Sequence, residues 1–329
     1  MPDNKMTIAA VGVGAVGSIL AGNLAEAGAE VIVADVPQRI SQIKVKGLHV
    51  QWGEKRIQPK IGTVDSIRSL ADARPDCIFI ATKACILEAI MPEVAEAAGR
   101  GCLVMSVQNG IGTEDEIARY VPPENVARMV VNYAGGMDEE GIAHVAWFNP
   151  PNFFGPHTER DDARLSTLVD MANSVGLTSE LVDPTTVKKR AFLKTVLNSA
   201  LMPICAVLGL TMREAMEGKA TRELATDLLR EGIAVGARLG YDYGEGIIEK
   251  CLSYLDAGGD HHPSMSVDLW NKRPTEICFI NAKILEIGSG FDDLDLEVNR
   301  VLVALLMTME VRNGTRKPGD FPDYVIPAS

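Results

Sequence analysis

The chain has 329 residues, with 32 Lys and Arg against 44 Asp and Glu, giving a formal charge of −12 and a pI near 5.0. A surface of that sign repels phosphate backbones and anionic headgroups on average, which argues against nucleic acid or membrane as the main partner and requires a local site for any anionic ligand. With 47% apolar and 23% charged residues the composition is that of a soluble globular protein, and this length splits into two domains because single cores stop growing at about 250–300 residues.

Residues 7–11, 30–34, 77–81, 103–106 and 126–131 are short, nearly continuous apolar runs, the pattern of parallel strands covered on both faces. Residues 16–27, 40–46, 84–98 and 114–120 read as the helices or helical turns between them, and residues 141–148 and 152–155 as a β-rich close. The uncharged stretch 6–24 imitates a signal peptide, with Ala25 and Ala27 as small residues after it. Its glycines and the strand that follows favour a buried strand-turn-helix instead. After Asp183-Pro184 the pattern changes to apolar residues at i, i+3, i+4 and i+7. Helices are expected over 186–208, 211–238, 246–255, 276–287 and 295–313, then an irregular tail from Gly314 with Pro318, Pro322 and Pro327. The expected organisation is an α/β domain over 1–183 and a helical domain over 184–329. Polar interruptions, such as Lys194, Asn198 and Pro203 in one apolar run and Glu310 and Arg312 in another, break these runs too early to span a bilayer. The six cysteines form no C-x-x-C pair and read as reduced thiols of a cytoplasmic protein.

Gly12-Val13-Gly14-Ala15-Val16-Gly17 follows the first strand and opens the first helix. In that context the first glycine permits the tight turn, the second admits a pyrophosphate to the backbone, and the third lets helix and strand pack closely, so dinucleotide binding is expected. Asp35 ends the second strand 18 residues after Gly17, near the offset of the acid that accepts hydrogen bonds from the adenosine ribose. A carboxylate there repels a 2′-phosphate and favours NAD(H), while Arg39 nearby keeps NADP(H) open. Lys83, after the third strand, and Gln108-Asn109-Gly110, after the fourth, fall at strand ends where ligands of open α/β sheets bind. In the helical half Lys194 and Asn198 stand at i and i+4 on one helix face among apolar neighbours. A lysine partly withdrawn from water can serve as a general acid, and the same pattern equally suits a lysine that reaches past its apolar neighbours to the surface. Pro263-Ser264-Met265-Ser266-Val267-Asp268 reads as a proline-bounded loop, and Thr275-Glu276 as the opening of a helix, where Glu276 would favour the helix dipole.

Taken together these residues resemble the ketopantoate reductase family of NAD(P)H-dependent 2-oxoacid reductases, over nearly the whole chain. The resemblance implies a Rossmann-like domain followed by an all-helical C-terminal domain, with the active site in the cleft between them. It puts Lys194 at the catalytic lysine position, protonating the substrate carbonyl oxygen as hydride arrives. Glu276 would orient substrate and lysine, Asn109 and Asn198 would supply amides at cofactor and substrate, and Ser264 would meet the substrate carboxylate. The departures are Asp35-Val36 where a basic residue is common, Met202 four residues beyond Asn198 where a second Asn is common, and His261 where Asn is usual. Met202 and His261 are candidate substrate contacts, although Met202, with Met212 and Met216, also reads as core filling. No metal is expected, since adjacent His261 and His262 rarely face one ion. The expected activity is reduction of 2-dehydropantoate to pantoate. The rival is a family paralogue acting on another hydroxy acid or ketone, and a non-catalytic nucleotide sensor is disfavoured by the joint presence of Lys194 and Glu276. The composition permits a monomer or a homodimer, the latter being the commonest oligomer.

Overall fold

Strands that are apolar at every position need cover on both faces, and this requirement organises the first half of the molecule. The computed structural model describes residues 5–326, so Pro327 of the expected tail lies outside the described residues. In chain order the first half forms β1 (Thr7–Val11), α1 (Ala15–Glu26), β2 (Glu30–Ala34), α2 (Pro37–Lys46), β3 (His49–Trp52), β4 (Lys55–Ile57), β5 (Gly62–Val64) and β6 (Cys77–Ile80). There follow α3 (Leu87–Ala98), β7 (Leu103–Ser106), α4 (Thr113–Ile117), β8 (Val126–Val130), β9 (Tyr133–Met137), β10 (Ile142–Phe148), β11 (Asn152–Pro156), α5 (Ala163–Ser174) and β12 (Ser179–Leu181).

Eight of these strands make one sheet in the order β12-β11-β8-β7-β6-β1-β2-β5. Every pairing in it is parallel except β11 with β8. Alternate residues serve opposite faces. Ile8, Ala10, Cys77 and Phe79 join the core under α1 and α5, whereas Ala9, Val11, Ile78 and Ile80 join the core under α3. The order reverses between β1 and β6, so the loops after these two strands flank the crevice where open α/β sheets bind ligands.

Of a second sheet, β4-β3-β10-β9, only β10 was expected, within the β-rich stretch 141–148. Its other three strands are short, polar or glycine-rich (KRI, HVQW, YAGGM), so they lack the apolar runs that marked the rest. This sheet packs on α1. A Cβ on Gly22 would lie 3.0 Å from Val50 Cγ2, and one on Gly135 would lie 2.9 Å from Ile19 Cδ1 and 2.4 Å from the His144 carbonyl oxygen.

The chain divides into two compact units, the second comprising Asn109–Ile111 together with the residues from Lys189 onward. The second unit contains most of α6 (Pro184–Leu208), then α7 (Met212–Glu217), α8 (Lys219–Arg238), α9 (Ile247–Asp256), α10 (Ser264–Trp270), α11 (Asn281–Gly288) and α12 (Glu297–Asn313). Among the described residues α6 is the one helix long and apolar enough to cross a membrane, and most of its apolar stretch is buried. Three expectations need correction. The single helix over 211–238 is two, because α7 opens with a Thr211–Glu214 capping box and Gly218, in an extended conformation, ends it and starts α8. The Ser264 segment is the helix α10 rather than a loop, since Pro263, extended at φ −68° and ψ 161°, takes the N-cap place. Glu276 does not open a long helix. It precedes a single 3₁₀ turn, Ile277–Phe279, and α11 begins only after Ile280, whose ψ of −101° breaks the run.

Gly135→Ala should lower stability by about 1–3 kcal/mol, as overpacked sites do, because its neighbours are backbone and a core side chain. Gly136→Ala, which meets nothing within 4 Å, should stay within about 0.5 kcal/mol. Thermal melting of the two variants distinguishes them.

Candidate active site

The turn between β1 and α1 is fixed by atoms that are missing. Gly12 has φ +89°, and a Cβ there would lie 2.7 Å from the Thr82 nitrogen. A Cβ on Gly17 would lie 2.0 Å from the Gly12 carbonyl oxygen. Both glycines are therefore demanded by the protein itself. Gly14 is not, since a Cβ there would meet nothing within 4 Å. Gly14 is also the N-cap of α1, with no side chain capping the first turn and no acidic residue in it. Open space in front of exposed N–H groups is what a pyrophosphate requires, so the turn Gly12, Val13, Gly14, Ala15, Val16, Gly17 fits a dinucleotide.

Side chains hold this turn from behind. Asp35, just past β2, accepts from the Val13 N–H at 2.5 Å through one oxygen and from the Val36 N–H at 2.6 Å through the other. The Val13 carbonyl accepts from Ser18 Oγ at 2.8 Å and from Arg39 Nε at 3.0 Å. The rest of the Arg39 fork bonds Gln42, the Gly141 carbonyl and Ser18. Burial lowers the pKa of Arg39 and Asp35 opposes that shift. Ser18 and Tyr133, whose hydroxyl donates to the Val16 carbonyl at 3.2 Å, escaped the sequence reading because nothing in their local pattern marks a loop brace.

The neighbouring strand ends join the same constellation. Lys83 is half-buried just ahead of a 3₁₀ turn at Ala84–Ile86. Gln108 Nε2 donates to the Thr82 carbonyl at 3.1 Å, linking the loops after β6 and β7. Beneath them Arg128, almost wholly buried, pairs with buried Glu114 and donates to the Gln108 carbonyl at 3.0 Å. Burial pushes the Glu114 carboxyl up, but Arg128, a backbone hydrogen bond and Lys188 together more than reverse it, leaving its pKa below the ordinary value.

In the second unit, Gly110 at φ +101° packs where a Cβ would lie 2.5 Å from the Phe279 carbonyl oxygen. The Ile111 N–H donates to that same oxygen at 2.8 Å. Asn109, half-buried, is thus held next to the Glu276–Phe279 segment. Lys194 and Asn198 are half-buried on α6, flanked by buried Thr195, Val196 and Ser199. Glu276 is 4% exposed. Its segment is anchored by Thr275, whose N–H and Oγ1 donate to Glu310 Oε1 at 2.8 and 2.7 Å, with Arg316 Nε on the other Glu310 oxygen at 2.9 Å. Ser264 is exposed at the start of α10. His261 has an exposed side chain and a carbonyl that accepts from the Met212 N–H, whereas Met202 is 6% exposed and lies in the apolar core of this unit. Among the described residues no group of three His, Cys, Asp or Glu is placed to hold a metal ion.

Two family profiles match this chain: ketopantoate reductase PanE/ApbA over residues 8–158 and the ketopantoate reductase PanE/ApbA C-terminal domain over residues 186–310. The chain belongs to the ketopantoate reductase family. It is accordingly an oxidoreductase of the nicotinamide-dependent kind that acts on CH–OH groups. The 2-dehydropantoate 2-reductases of Pyrococcus abyssi and Pyrococcus horikoshii are 26% and 28% identical over 313 residues, covering 94% and 95% of this chain and all of theirs. A ketopantoate reductase structure from Ralstonia eutropha superposes with a TM-score of 0.84 at 23% identity, covering 94% of this chain and 100% of its own. The ternary structure of a D-mandelate dehydrogenase with NADH and anilino(oxo)acetate gives the same TM-score, identity and coverage. At that identity both likenesses speak to the fold, a Rossmann-like domain followed by a helical one.

The contrast between the glycines is testable. Gly14→Ala should melt like the parent yet bind reduced nicotinamide dinucleotide at least about tenfold more weakly, because the pyrophosphate loses its approach. Gly17→Ala should lose thermal stability as well. Fluorescence titration beside a melting curve separates the two effects.

Proposed function

We propose that this protein reduces a small 2-oxoacid to the 2-hydroxy acid, with 2-dehydropantoate as the substrate and NADH as the preferred reductant. The observation that carries the reading is Gly14, a glycine required by no contact of its own, at the head of a family chain that also keeps Lys194 and Glu276. In this reading residues 1–183 hold the dinucleotide and residues 184–329 supply the substrate contacts and the proton. A reduced dinucleotide held by the Gly12–Gly17 turn and Asp35 would supply the hydride. Lys194 donates the proton to the carbonyl oxygen, so that charge developing there meets an ammonium donor. Glu276 orients the lysine and the substrate, Asn109 and Asn198 offer amide hydrogen bonds, and Ser264 Oγ donates to the substrate carboxylate. The six free thiols suit a reducing, cytoplasmic setting.

The preference for NADH rests on Asp35 and Arg39. Each carboxylate oxygen of Asp35 accepts one backbone N–H and keeps a second lone pair for a ribose hydroxyl. Arg39, four residues beyond Asp35, spends its fork on Val13, Ser18, Gln42 and Gly141.

Ketopantoate-dependent oxidation of NADH and NADPH, measured side by side, should favour NADH in kcat/KM. Lys194→Ala should reduce kcat by about 10²–10⁴-fold while leaving NADH binding intact. No turnover of ketopantoate by the parent, with turnover of another 2-oxoacid or ketone in a panel, would overturn the substrate and move the assignment to the paralogue. Asp35→Asn keeps an acceptor for Val13 but removes the charge, and should raise the NADPH-to-NADH ratio of kcat/KM by about tenfold.

A further inference from the structure

Proline cannot donate to the carbonyl four residues before it, so Pro203 within α6 leaves the Ser199 carbonyl without its helical N–H. Ser199 directly follows Asn198 and lies five residues beyond Lys194. The missing donor is replaced from another helix: Asn281, the first residue of α11, donates through Nδ2 to the Ser199 carbonyl at 3.0 Å. The same Nδ2 donates to Asn299 Oδ1 at 2.9 Å. Asn299 in turn donates through its own Nδ2 to Glu231 Oε2 at 2.7 Å. Glu231, on α8, also accepts the Val298 and Asn299 backbone N–H groups in the first turn of α12, both at 2.9 Å.

Four helices thus converge through one polar chain on a single carbonyl. Asn281 and Asn299 are completely buried. Asn281 Oδ1 finds no hydrogen-bond partner among the described residues, a cost that an apolar side chain at this position would avoid. An apolar replacement could not serve the carbonyl that Pro203 exposes.

We propose that Asn281, backed by Asn299 and Glu231, is a positioning residue for the reaction: it supplies the hydrogen bond that Pro203 removes and thereby sets the turn of α6 that carries Lys194 and Asn198. The proposal rests on the reading of Lys194 as the proton donor. Pro203 and Asn281 form a matched pair in it. A helix with a donor at 203 would need no amide from α11, and a helix with Pro203 and no Asn281 would leave a buried carbonyl unmet and its catalytic turn loose.

The test is a double-mutant cycle on the intact enzyme, with kcat, KM for the 2-oxoacid, NADH binding and thermal melting measured for each variant. Asn281→Ala should lower kcat by about tenfold or more, since small misplacements of reacting groups are costly, with NADH affinity unchanged. Pro203→Ala alone should stay within about threefold of the parent, because position 203 then brings its own N–H. Asn281→Ala combined with Pro203→Ala should recover kcat to within about threefold of Pro203→Ala alone, an interaction that a merely structural role for Asn281 would not generate. If the double variant folds but stays as impaired as Asn281→Ala, the proposal is wrong. If Asn281→Ala does not fold, the double variant decides: folded and active supports the pairing, whereas inactive or unfolded overturns it, since Asn281 would then hold the whole core. Lys194→Ala in the same series separates the two readings. Full activity without Lys194 would sink the proton-donor assignment, whereas loss with Lys194→Ala and none with Asn281→Ala would sink the present proposal alone.

Discussion

Helix α1 can begin directly above the end of β1 only because no side chain stands between them. The gap between Gly17 and the Gly12 carbonyl oxygen is too small for a methyl group. The helix is pressed from its other side by the small sheet, which needs Gly22 and Gly135 to come as close. Between the two sheets α1 has little freedom to tilt, and the N–H groups at its start are aimed accordingly. Binding of an anion at such a helix start draws on preorganised donors, so rigidity here lowers the ordering cost that the ligand would otherwise meet.

The second unit has no sheet among its described residues and fixes its geometry differently, with buried polar groups that must be matched one by one. Glu310 receives the Thr275 backbone and hydroxyl together with Arg316, and Glu231 receives the start of α12. Apolar packing alone tolerates sliding between helices, because many side-chain arrangements fill a similar volume. A carboxylate that accepts three directed hydrogen bonds admits one register. The segments held in this way, 275–276 and the middle of α6, carry or adjoin Glu276, Lys194 and Asn198.

How much of this was legible in the sequence follows from where the information lies. The central strands were readable because burial on both faces writes itself as an unbroken apolar run, as in residues 77–80 or 103–106. The glycine turn was readable because three spaced glycines between strand and helix have few other uses. Apart from β10, the small sheet was not, since YAGGM and HVQW are made into strands by pairing and by the surface of α1 rather than by their own composition. Breaks such as Gly218 and Ile280 were hidden because apolar periodicity continues across them. The Pro203–Asn281 match was invisible for a stronger reason: its two members lie 78 residues apart, and neither signals the other without the hydrogen bond that joins Asn281 to Ser199.

Asp35 shows how cofactor choice can be tied to fold in such an enzyme. The carboxylate that would accept the ribose hydroxyls already bonds the Val13 N–H, so it stabilises the turn before any ligand arrives. Arg39 grips the carbonyl of the same residue. Trading Asp35 for a small neutral residue, the simplest way to admit a 2′-phosphate, would release one of these two grips and leave the other pulling alone. Redirecting Arg39 toward a phosphate would release the second grip, together with its ties to Ser18 and Gly141. A substitution at position 35 that leaves the turn intact must therefore keep an acceptor for the Val13 N–H, as asparagine would and a small apolar residue would not.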